Sequence, residues 1–260
     1  YIRNMDVLTG GPWTALANTQ IDFLTLAQNT EITGIYGVSF WLILLNVSIF
    51  NWIDRPYPNN SFIAISVFIL PWLTGLLLTP LPSSENKHNL NIVTVQPNIH
   101  LSQKWKPGGV RSNIHSLLTH SKPGIEQGAD LIIWPESATS ANIFQGNQKY
   151  LGLIQSKLRN SKLLSGIPFH TGSERNRRFY NSVILISDNS SSKPYHKMIL
   201  VPMAEYIPFS DYFPSLKKLN LGQANFEHGN EHIIFNYNNY KLATMICIES
   251  TIPQLNRKFV

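Results

Sequence analysis

The chain has 260 residues, of which 43% are apolar and only 14% charged. That charged share lies well below the roughly 25% of an ordinary soluble domain and points to a membrane-embedded portion. A net charge of +6 suits an anionic lipid surface. Nucleic acid is set aside, because the basic residues are scattered and no recognition motif is present. A single cysteine excludes an internal disulfide.

Residues 1–33 are mixed, with a turn signal at Gly10-Gly11-Pro12 and a short helical face at Ile21, Leu24 and Ala27. Gly34 to Ile53 then runs for twenty residues without a charge. A helix of that length spans about 30 Å, the thickness of bilayer hydrocarbon. After a polar turn from Asp54 to Ser61, Phe62 to Thr79 forms a second uncharged run with Pro71 inside it. Bilayer helices tolerate such a proline when neighbours satisfy the carbonyl it frees. Trp52 and Tyr57 suit an interfacial aromatic belt. The sequence thus predicts two spans, at about 34–53 and 62–79, in a partial membrane domain over residues 1–83.

Pro80 to Asn89 reads as a linker, and residues 84–260 as a layered α/β domain. Strands are predicted over Leu90–Gln96, Ala129–Trp134, Leu163–Ile167, Ser182–Ile186, His232–Tyr237 and Lys241–Ile248. Helices are predicted over Pro107–Gly128 and Asn147–Arg159, on the spacing of Ile114, Leu117, Ile154 and Leu158.

Three places in this domain can carry chemistry. Pro135 stops a buried strand, so Glu136 stands at the end of a sheet, where α/β folds place their sites. Prolines space an extended loop that carries Lys197 and Glu205. Cys247 closes the apolar run from Lys241 to Ile248, with Glu249 two residues on. A lone cysteine is commonly a buried space-filler. As a nucleophile it needs a base and a cation to stabilise an oxyanion. Glu136 could take the thiol proton and Lys197 could supply the charge.

The order Glu, Lys, Cys resembles the nitrilase superfamily of carbon–nitrogen hydrolases. The segments that carry the likeness are WPES at 134–137, HKMILVPMAEYIPF at 196–209 and CIE at 247–249. With two spans ahead of it, and GGPW at 10–13 and TGIYGVSF at 33–40, the chain is similar to the bacterial apolipoprotein N-acyltransferases within that superfamily. The resemblance implies an α/β fold: a nitrilase-like αββα sandwich, cut short at its C-terminus, preceded by two transmembrane helices of a truncated membrane domain. It implies Glu136 as base, Lys197 as oxyanion stabiliser and Cys247 as nucleophile, with no metal or cofactor. Trp105, Glu205 and Glu249 are implied as supporting positions. Glu249 could equally orient Lys197 by a charge-assisted bond. Implied partners are the bilayer, a phospholipid acyl donor such as phosphatidylethanolamine, and an apolipoprotein acceptor. The implied location is the bacterial inner membrane, with the enzyme multi-pass and its catalytic domain periplasmic. Two positions depart from the family pattern: Ile248 stands where an aromatic residue is common, and Ala204 where glycine is common. A membrane-anchored amidase, or an inactive fragment, remains open on the residues alone.

Overall fold

The computed structural model describes residues 15–79, 90–144, 148–210, 212–213, 215–216 and 224–259. The GGPW motif and most of the expected linker lie outside them. The chain divides into two compact units, one holding residues 15–79 and the other residues 90–259.

The first unit is helical. After a 3-10 turn at Leu16–Gln20 come α1 (Leu24–Ala27), α2 (Thr30–Asp54) and α3 (Pro58–Leu78). Gly34 breaks the first turn of α2 with φ 65° and ψ −178°, a conformation that glycine adopts without steric cost. The straight rod therefore begins where the uncharged run begins. Both α2 and α3 are long and apolar enough to cross a membrane. Their large side chains, Phe40, Phe50, Ile53, Phe62, Leu70 and Leu77 among them, face outward. Pro71 lacks an N–H and so frees the Val67 carbonyl one turn earlier. The Trp41 indole donates Nε1–H to that carbonyl at 2.7 Å. Trp41, within the first uncharged run, is therefore a backbone partner of the second. The chain before α2 also crosses α3 closely: a Cβ on Gly75 would lie 1.8 Å from the Thr25 carbonyl oxygen. Beside that contact, Asn29 donates to the Pro71 carbonyl at 2.8 Å and accepts from Thr74 Oγ1 at 2.6 Å.

The second unit is layered. Its main sheet runs β1 (Ile92–Thr94), β2 (Leu131–Trp134), β3 (Lys162–Thr171), β4 (Arg178–Ile186) and β5 (Tyr195–His196), in that order. The first three strands are parallel, and β3, β4 and β5 pair antiparallel. A four-residue helix, α4 (Leu101–Lys104), follows β1. Helices α5 (Gly109–Glu126) and α6 (Gln148–Leu158) cover one face of the sheet. Ile114, Leu117, Ile154 and Leu158 pack there against Ile132, Trp134 and Leu163. The Trp134 indole pins β2 to α5 by donating to buried Ser121 Oγ at 2.8 Å.

The other face carries a hairpin of β6 (Ile234–Tyr237) and β7 (Tyr240–Ala243). Phe235, Leu242 and Ile246 pack there on Leu131, Leu164 and Leu185. A 3-10 turn over Cys247–Thr251 and a short α7 (Pro253–Asn256) follow. This α-β-β order matches the expected sandwich, and no second helical layer is assembled among the described residues.

Two strand expectations are corrected. The main hairpin is longer than its apolar cores, because the outer end of β4, where Arg178 and Phe179 are exposed, continues by backbone pairing. The expected strand Lys241–Ile248 ends at Ala243.

Candidate active site

The parallel strands end on one edge, and Pro135 ends β2 there. The chain then crosses directly over β3. A Cβ on Gly166 would stand 2.6 Å from the Glu136 Cα and from the Pro135 carbonyl oxygen. Ala138 N–H donates to the Gly166 carbonyl at 2.9 Å, and Ser137 takes φ 50°. A glycine inside an apolar strand run is the sequence signal for such an approach; sequence reading passed over Gly166.

Glu136 is partly exposed, its side chain 38% accessible. Its Oε1 accepts from Asn181 Nδ2 at 2.5 Å and lies 3.6 Å from Lys197 Nζ. Lys197 is buried, 1% exposed. Its ammonium is held by Glu205, at 2.9 Å from Oε1 and 2.8 Å from Oε2. Glu205 also accepts from Asn181 Nδ2 at 3.1 Å and from Val201 N–H at 2.7 Å. One lysine thus stands between two carboxylates. Asn181, on β4, reaches both of them. Sequence reading missed it, because a single asparagine in an alternating strand looks like any outward polar residue.

Cys247 is exposed and begins the 3-10 turn with φ 52°. The sequence placed it at the end of a buried strand; the structure places it on a sharp turn. A positive φ is sparsely populated for a residue with a side chain and is stored where surrounding contacts over-determine it. Those contacts come from Glu249, fully buried. Its Oε2 accepts from Ile246 N–H at 2.8 Å, closing the turn that presents the thiol. Its Oε1 accepts from Tyr195 Oη at 2.8 Å, Met198 N–H at 2.7 Å and Ile199 N–H at 3.2 Å. Burial and the facing Glu249 carboxylate push the Tyr195 phenol well above its ordinary range.

The expected bond from Glu249 to Lys197 is therefore corrected. Glu249 fixes the backbone just after Lys197, and Glu205 holds the ammonium. Ile248, the departure beside the thiol, is buried and faces away from solvent.

Cys247, Glu136, Asn181 and Gly166 line one cavity of about 390 Å³, with Ile133, Leu164 and Val183 on its apolar side. Lys197 joins it from behind, through Glu136. Trp105 is half exposed and contributes no wall to this cavity. Its neighbour Lys104 links it to the site: Lys104 Nζ lies 5.6 Å from the Trp105 ring and donates to the Glu136 carbonyl at 3.2 Å. Burial lowers the Lys104 pKa, and the Glu136 charge partly restores it.

Such an arrangement can hold a thiol opposite a carboxylate, with a cation close by. That is the equipment of nucleophilic acyl chemistry.

Residues 1–48 match the apolipoprotein N-acyltransferase N-terminal domain, and residues 92–259 match the carbon-nitrogen hydrolase family. Apolipoprotein N-acyltransferase of Geobacter metallireducens is 29% identical over 98% of this chain and 50% of its own length. That of Pseudomonas putida is 28% identical over 95% of this chain and 49% of its own. The chain spans about half the length of these curated relatives. Among solved structures, an amidase of the nitrilase superfamily from Nesterenkonia is 18% identical at a TM-score of 0.43, covering 65% of this chain and 60% of that one. With its matched segment running from β1 to α7, the chain belongs to the carbon-nitrogen hydrolase family.

Proposed function

We propose that this chain carries the catalytic centre of a lipid-to-protein acyltransferase. The donor is a phospholipid, phosphatidylethanolamine being the expected one, and the acceptor is the α-amine of a diacylglyceryl-cysteine apolipoprotein. The observation that carries this reading is the meeting of Glu136 and Cys247 on one cavity, with the Lys197–Glu205 pair set against Glu136, in a chain whose residues 1–48 match the N-acyltransferase N-terminal domain.

The chemistry runs in two halves. Glu136 accepts the thiol proton, and the Cys247 sulfur attacks the ester carbonyl of the lipid. Lys197 stabilises the oxyanion. The carbon–oxygen bond breaks, and the lysophospholipid leaves as an alcohol with the proton from Glu136. The acceptor amine then attacks the thioester and loses a proton to Glu136. The carbon–sulfur bond breaks, and the thiol is regenerated. Splitting one difficult transfer into two substitutions is the usual gain of covalent catalysis.

Glu205 holds Lys197 in place, and Glu249 shapes the turn under Cys247. Trp105, under the Lys104 ammonium, takes a supporting position. Residues 1–83 act as part of a multi-pass membrane domain, and residues 84–260 as a periplasmic catalytic domain at the bacterial inner membrane. Apolar helices α2 and α3 support that location.

The test is mass spectrometry of the Cys247 peptide after the full-length protein meets phosphatidylethanolamine in mixed micelles. The expected product is a hydroxylamine-sensitive acyl adduct, absent in Cys247→Ala. Release of ammonia from small amides, with no lipid-derived adduct, would make the protein an amidase.

A further inference from the structure

The Asn181 side chain is buried, 2% exposed, and its amide nitrogen donates to Glu136 at 2.5 Å and to Glu205 at 3.1 Å. Its amide oxygen is also buried and has no hydrogen-bond partner among the described residues. Buried acceptors are nearly always paired, so an orphan one calls for an explanation. The explanation lies across the amide. Turning it over would set an oxygen against two carboxylate oxygens, with no donor between them. The two carboxylates therefore fix the orientation, and the amide oxygen goes unpaired as a result. The backbone of the same residue accepts from Lys197 N–H at 2.8 Å. Asn181 thus touches Glu136, Glu205 and Lys197 at once.

We infer that Asn181 is a positioning residue that holds Glu136 aimed into the Cys247 cavity. Two carboxylates share one ammonium here. A like charge close by favours a proton on one of them, and a donor to the ionised form opposes it. Glu205 has Lys197 at salt-bridge distance and the Val201 N–H in addition. Glu136 stands 3.6 Å from Lys197, and its carboxylate takes its hydrogen bond from Asn181. The asparagine is therefore the side chain that sets where the proposed base points. The inference rests on the role proposed for Glu136, and its test does not depend on the lipid substrate.

The test measures the rate of Cys247 alkylation by iodoacetamide against pH in the full-length protein, read on the Cys247 peptide by mass spectrometry. A second series follows phosphatidylethanolamine-dependent acylation over the same pH range. In Asn181→Ala the acid limb of the alkylation profile is expected to move to higher pH by about one unit, a tenfold loss of rate on that limb. Asn181→Asp keeps the shape, removes the donors and adds a charge, so its limb moves further. Asn181→Ser keeps one donor and falls between wild type and Asn181→Ala.

A folded Asn181→Ala or Asn181→Asp whose acid limb stays in place overturns the inference, however much activity it has lost. So does loss of fold in both, which would make the residue purely architectural. Failure of lipid acylation in the wild type, with the alkylation shift intact, would instead sink the acyl-transfer reading and leave Asn181 in its role.

Discussion

Two carboxylate settings in the catalytic unit differ sharply. Among the described residues, no cation pairs with Glu249. Its two oxygens take one phenol and three backbone N–H groups, and solvent is excluded. Around Glu136 there is one amide donor, a lysine at 3.6 Å and an open cavity. The first carboxylate is fully engaged and joins two segments, the Lys197 loop and the Cys247 turn. The second keeps capacity unused, and unused capacity is what a base requires. On the proposed chemistry, two acidic residues in one site are thus divided into a clamp and a reagent by their surroundings.

Breaking that division should give effects of different kinds. The largest is expected from Glu136→Gln, a loss of acylation of about a hundred- to ten-thousand-fold, the usual weight of a general base. The melting temperature should barely move. A parallel fall in melting temperature would place Glu136 with the clamps.

Glu249→Ala should behave the other way. It leaves the Tyr195 hydroxyl and three N–H groups without their partner, each at a cost of about 1–3 kcal/mol. Thermal unfolding should register a loss of several kcal/mol, and Tyr195→Phe a loss of about 1 kcal/mol. An unchanged melt in Glu249→Ala would refute the joining role.

The smallest effect concerns His196, beside Lys197 on β5. Burial lowers its pKa below 6.5; Glu231 opposes that shift and Lys193 adds to it. Between the lowered folded value and the unfolded value near 6.5, the unfolded chain binds more protons. The histidine's contribution is therefore complete above pH 6.5 and is lost as pH falls through and below it. His196→Gln should flatten that part of the stability curve in denaturant titrations run from pH 7.5 to pH 5. An identical slope in the variant would show that His196 is not the group responsible.

Much of this was legible in the residues. Charge-free runs reveal their helices because hydrocarbon tolerates few alternatives, and Trp134-Pro135 reveals a strand end because proline cannot continue the ladder. Cys247 was visible as a candidate by its solitude and its distance from Glu136 and Lys197 in the chain. Its exposure was not, because Met245, Ile246 and Ile248 look like a strand when read with Lys241–Ala243. The turn depends on Glu249 reaching back to Ile246, a contact that apolar patterning does not encode. Asn181 and the outer end of β4 were hidden for a related reason. Asn181 is fixed by Glu136, 45 residues away, and Glu205, 24 residues away, and the outer end of β4 by backbone pairing that is indifferent to side chain.

The Trp41 bond to Val67 has a consequence for how the first unit is made. Within hydrocarbon a bare carbonyl finds no water, so α3 entering alone would carry an unmet acceptor at its proline. The indole that meets it belongs to the preceding helix. The pair is therefore stable in lipid as a couple, and biogenesis should favour their lateral release from the insertion machinery together, already docked.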